Sequence, residues 1–120
     1  MKPSEIIAAD AEQRGLDPNV VLNRVSQMLK NENSQIMQNN NSVLLLEDIG
    51  DKNVALHLFT SDSPITLARS VSIFVEQIKK MDLNAVYGNA DNQQIIELLI
   101  RVGVPVQQSD KPEYNWMAFV

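Results

Sequence analysis

Apolar residues recur at helical spacing in four stretches of the chain and cluster or alternate in six shorter ones. Ile6, Ile7 and Ala11 give a thin apolar face to a first helix, capped by Ser4 behind Pro3 and ended at Gly15. Asp17 caps a second helix with Pro18 in its first turn. Val21, Val25, Met28 and Leu29 form its stripe, widened by Leu22, and it fades at Asn31-Glu32-Asn33. The centre reads as strands over Gln35–Gln38, Val43–Ile49 and Val54–Thr60, with turns at Asn39-Asn40-Asn41 and Gly50-Asp51. Short, turn-rich links predict an antiparallel meander. The run Val43–Leu46, apolar on both faces, predicts helices packed over the sheet.

Ser63-Pro64 opens the longest helix, Pro64–Met81, striped by Ile65, Ala68, Val71, Val75 and Ile78. A strand over Asn84–Tyr87 ends at Gly88. A helix over Asp91–Val102 stops at Gly103, and a strand over Val104–Gln107 follows. The terminal strand, Tyr114–Val120, alternates so that Tyr114, Trp116, Ala118 and Val120 share a face. The order is helix, helix, three strands, helix, strand, helix, two strands, an α+β class. One domain is expected over 1–120, a helical pair over 1–33 and a sheet core with two helices over 34–120.

Composition removes several functions. The 120 residues hold 15 acidic and 10 basic side chains, a net charge of -5. That balance argues against nucleic-acid binding, which needs clustered Lys and Arg. With no Cys and one His, disulfides, thiolate metal sites and Cys nucleophiles are excluded, and no metal site is expected. No apolar run approaches the ~20 residues of a membrane span. The N-terminus carries acids where a signal peptide carries apolar residues, so a cytoplasmic-type soluble chain without membrane insertion is expected. Phosphate loops, dinucleotide fingerprints, zincin motifs and nucleophile elbows are all missing.

The segment Asn92–Val104, NQQIIELLIRVGV, is similar to the second signature of the GNAT acyltransferase superfamily, N-x-x-A-x-x-L-Y-x-x-x-G-F. Asn92, Leu98 and Gly103 fall on its Asn, Leu and Gly, and the element order from residue 35 onward resembles the core of that fold. The wider pattern also resembles small phage-encoded members, some of them virion components, through Phe59-Thr60-Ser61-Asp62 and Gly88-Asn89. The resemblance implies a mixed, mainly antiparallel sheet flanked by helices. It also implies two strands that splay around acetyl-CoA, with the diphosphate resting where a strand turns into the long helix.

That corner here is SDSPITLARS, Ser61–Ser70. It lacks the family's glycines, which let backbone N–H groups approach phosphates, and Pro64 removes one donor. Asp62 would face the diphosphate, with Arg69 the nearby cation in sequence. Two like charges ~4 Å apart cost about 1 kcal/mol in water and about 4 at an effective dielectric of about 20. The family's proton-donating Tyr aligns with Leu99, which has no proton to give. His57, within the strand Val54–Thr60, and Glu47, at the end of the strand before it, are the candidate bases. His57 is expected on the face opposite Leu56 and Leu58.

These features predict a GNAT-like protein without efficient acyl transfer and without a resident cofactor. Its role would be structural or protein-binding, and virion-associated. A protein partner or self-association would engage Trp116, Met117 and Phe119 of the terminal strand. The alternative is a divergent acetyl-CoA-dependent N-acyltransferase. There Ser61, Ser63 and the helix N-terminus would hold the phosphates, Asn92 would hold the pantetheine arm, and His57 or Glu47 would act as base.

Overall fold

The structure is a computed structural model and describes residues 1–31, 33–91 and 93–120. Helices α1 (Pro3–Gln13) and α2 (Pro18–Lys30) lead into strands β1 (Ser34–Asn39), β2 (Ser42–Gly50) and β3 (Asn53–Thr60). Helix α3 (Pro64–Lys79), strand β4 (Ala85–Gly88), helix α4 (Gln93–Arg101) and strand β5 (Trp116–Phe119) complete the chain. The sheet order is β1-β2-β3-β4-β5. All neighbours are antiparallel except β3 and β4, which the α3 crossover makes parallel.

Local chemistry accounts for most boundaries. Asp17 caps α2 by accepting the Asn19 N–H at 2.9 Å. The β1–β2 turn puts Asn40 at φ 51, and Asp51 and Lys52 turn β2 into β3 at φ 57 and 62. Two successive positive φ values match the right-handed twist of a two-residue hairpin. Buried Ser70 of α3 donates to the Asn39 side-chain oxygen at 3.0 Å, which pins the helix over that turn.

Four details depart from the sequence reading. Ser4 lies inside α1, because the cap position falls at Lys2, whose N–H donates to Glu5 at 2.9 Å. Ser63 occupies the cap position of α3, but its hydroxyl donates to Thr66 Oγ1 at 3.2 Å instead of capping the helix. The strand over Val104–Gln107 shrinks to one bridge, Gln107 with Met117; Pro105 has no N–H to add to a ladder. Tyr114 lies outside β5 and packs with Ala85, Tyr87 and Met117, away from the Trp116 face.

Two apolar layers sandwich the sheet. Leu44, Leu46, Val54, Val86, Trp116 and Ala118 meet Phe74 and Ile78 of α3, with Ile96 and Leu99 of α4 alongside. On the other face, Val43 and Leu45 meet Ile6, Ile7 and Val25 of the leading helices. Those helices therefore lie on the sheet and do not project as an arm. Among the described residues, no helix is long and apolar enough to cross a membrane.

Candidate functional site

Strands β3 and β4 pair only from Asn53↔Ala85 to Leu56↔Gly88. β3 runs on through His57–Thr60 while the chain after β4 turns away. Side-chain amides hold it there. Asn115 Nδ2 donates to the Ala90 carbonyl at 2.9 Å, and Asn115 Oδ1 accepts the Ala90 N–H at 3.0 Å. In return, Asn89 Oδ1 accepts the Asn115 N–H at 2.9 Å, and Asn89 Nδ2 donates to the Glu113 carbonyl at 3.0 Å. The end of β4 is tied to the β5 side, so the edge of β3 is left uncovered. The sequence hint for this was Gly88-Asn89; nothing marked Asn115.

The resulting cleft, about 530 Å³, is lined by Arg14, His57, Phe59, Asn89, Ala90, Asp91, Ile95 and Tyr114, among others. A second hollow of about 510 Å³ lies between α2 and the sheet, and it shares His57 and Phe59 with the first. Glu47 lines the second hollow. His57 Nε2 lies 3.3 Å from Glu47 Oε1, and both side chains are about one-third exposed. The register Leu45↔His57 puts His57 on the α1–α2 face, opposite Leu56 and Leu58. Burial, with the charges of Glu47 and Glu113 behind it, pushes the Tyr114 phenol above its ordinary value. Tyr87 is raised first by its hydrogen bond to Asp110, 2.8 Å away, and then by burial.

The β3–α3 corner is committed elsewhere. Asp62 accepts the Asn41 N–H at 3.1 Å and the Ser42 hydroxyl at 2.6 Å, so its carboxylate latches the β1–β2 hairpin. Beside it, a hollow of about 340 Å³ between α3 and α4 is lined by Asp62 and Glu97 against one cation, Arg101. Ser61 and Ser63 are exposed and do not line that hollow; the Ser61 hydroxyl points to Met1 Sδ at 3.5 Å. Arg69 is exposed on α3 and likewise does not line it. Asn92 lies outside the described residues. Leu99 packs against the core, so no proton donor stands at that register. The corner does not fit a nucleotide diphosphate: the adjoining hollow sets Asp62 and Glu97 against Arg101, and Pro64 presents no N–H. Trp116 and Met117 are buried, while Phe119 is 60% exposed. Among the described residues, no three potential metal ligands cluster.

The sequence reading missed Asp10 and Arg14, although their i, i+4 spacing on a helix was a usable signal. Asp10 is 5% exposed, accepts the Thr60 N–H at 3.1 Å and lies 3.0 Å from Arg14 Nε. Burial raises its pKa above the usual carboxylate range, against the lowering pull of Thr60 and Arg14. A raised folded pKa means that the native state binds the proton more tightly than the unfolded chain. The associated stability is complete below about 3.8, the unfolded value, and is lost as pH rises through the folded value. Asp10→Asn keeps an acceptor for Thr60 and cannot ionise. Melting curves from pH 3 to 7 should therefore show the variant gaining on the parent as pH rises; parallel curves would refute this.

No protein-family model matches the chain, and no curated protein matches it. Solved structures do. The architecture is similar to a chimera of spermidine N-acetyltransferase SpeG from Vibrio cholerae and hSSAT, with a TM-score of 0.54 and 6% identity over 85% of this chain and 74% of that one. It is also similar to a point mutant of the Vibrio cholerae enzyme, with a TM-score of 0.52 and 7% identity over 85% of this chain and 72% of that one. The fold is thus GNAT-like, α+β with a five-stranded mixed sheet, as the element order and the Asn92–Val104 segment implied. At such low identity the likeness extends to the fold and no further.

Proposed function

We propose that this GNAT-like chain does not carry out efficient acyl transfer and serves as a structural or protein-contact component. The observation that carries this reading is the β3–α3 corner. Its carboxylate is bonded into a hairpin, Pro64 removes a donor, and the adjoining hollow sets Asp62 and Glu97 against Arg101. Fold does not decide function; the site does. Of the three terminal-strand residues, Phe119 is left on the surface to make a contact. Phe59 and Asn89, within the two segments whose pattern resembles small phage proteins, both line the splay cleft. A virion component is the particular form of this reading.

A ligand at 100 times its dissociation constant adds about 2.7 kcal/mol to stability. Titration with acetyl-CoA to millimolar levels is expected to leave the melting temperature unchanged. Light scattering on the free protein should show a mass above the 13.5 kDa of one chain. A saturable rise in melting temperature would overturn the reading.

One observation favours a second reading, a divergent acetyl-CoA-dependent N-acyltransferase. The splay leaves a cleft lined by His57 and Tyr114, and Glu47 stands 3.3 Å from His57. In that reading Glu47–His57 would accept the proton of an incoming amine and Tyr114 would take the place of the missing donor. The same titration separates the two readings.

A further inference from the structure

The uncovered edge of β3 is not empty. Residues two apart on a strand send their backbone groups to the same edge. The Ser61 N–H goes to Asn41 in the β1–β2 turn at 3.0 Å, so the odd-numbered residues here face β2. Leu58 and Thr60 therefore face the splay, where a strand edge offers unpaired donors and acceptors to any chain that can reach it. Helix α1 has reached it first. Asp10 takes the Thr60 N–H, and Arg14 Nη2 donates to the Leu58 carbonyl at 3.2 Å. The same guanidinium then crosses the cleft. Its Nη1 lies 3.5 Å from Asp91 Oδ2, on the segment between β4 and α4, the opposite lip.

We propose that Asp10 and Arg14 form a built-in strap across the splay, and that its outer link to Asp91 must release before anything enters the cleft. The two ends differ in strength for a physical reason. Asp10 is buried and is held by both Thr60 and Arg14, so breaking that end strands a carboxylate out of water. The Asp91 side chain is 79% exposed, so water and salt screen its attraction to Arg14. The inner end is an anchor and the outer end a latch. The strap needs neither acyl transfer nor its absence and is independent of both functional readings.

The chain has no Cys, so Ala90→Cys in the cleft lining supplies a sole thiol there. Its rate of labelling by a small neutral disulfide reagent reports how often the cleft opens. Adding Asp91→Asn or Arg14→Gln is expected to raise that rate at least threefold, measured well below each melting temperature. A thiol that merely felt nearby charge would respond oppositely. Removing the Asp91 carboxylate favours the thiolate, whereas removing the Arg14 cation disfavours it. Rate increases in both variants support the strap; opposite changes, or no change in either one, overturn it. If Arg14→Gln unfolds, salt decides. Raising NaCl to about 1 M, where the screening length falls to about 3 Å, should speed labelling of the Ala90→Cys parent and leave the Asp91→Asn chain unchanged. Any other salt response refutes the strap.

Discussion

Gly88→Ala is expected to destabilise the protein by about 3 kcal/mol, at the upper end of ordinary overpacking. A Cβ at this position would lie 2.6 Å from Trp116 Cζ2 and 2.7 Å from both Cε2 and Nε1. The indole cannot easily yield. It is 6% exposed and shares its cluster with Phe74, Ile78 and Val86, in an interior packed as densely as an organic crystal. At roughly 4 °C per kcal/mol for a chain of this size, the melting temperature should fall by about 12 °C. Calorimetry on the single variant, and on the double variant with Trp116→Phe, checks the cause. The smaller ring should return part of the loss. A single-variant cost below about 1 kcal/mol would mean that Trp116 moves freely, contrary to its packing.

Ile6→Ala is expected to cost a similar amount, about 3 kcal/mol within the usual 2–5 for a buried Ile. Ile6 is 0% exposed and belongs to the cluster that joins α1 and α2 to Val43 and Leu45 of β2. Denaturant melts should show one transition at a lower midpoint. Val20→Ala, on the exposed side of α2, should stay within about 0.5 kcal/mol of the parent. If Ile6→Ala left the midpoint unchanged, or split the melt into two steps, the leading helices would not belong to the same cooperative unit as the sheet.

The fold was legible in the sequence because its signals are local. Asp17-Pro18 and Ser63-Pro64 mark helix starts, Asn39-Asn40-Asn41 and Gly50-Asp51 mark hairpin turns, and the stripes of α2 and α3 repeat at helical spacing. The errors fell where a distant partner overrode local preference. Tyr114 leaves the Trp116 face because Asn115 is drawn to Asn89 and Ala90. Val104–Gln107 reads as a strand by composition yet keeps one bridge, because strand length depends on a neighbour able to pair.

The candidate site divides along the same line. Corner chemistry was readable from Ser61–Ser70, since a missing glycine and an added proline are facts about backbone groups close in sequence. Placing His57 on the face opposite Leu56 and Leu58 needed only the two-residue period of a strand. Its partner was another matter. Glu47 reaches His57 across a strand pair whose register sequence spacing leaves open. Asp10, Arg14 and Asp91 meet because a helix, a strand edge and a loop converge, at separations of up to 81 positions along the chain. Element types, their order and the poor diphosphate seat thus follow from short-range preferences written in adjacent residues. The cleft, the Glu47–His57 pair and the Arg14 strap come from long-range packing, since no local rule says which distant side chain will arrive at an open strand edge.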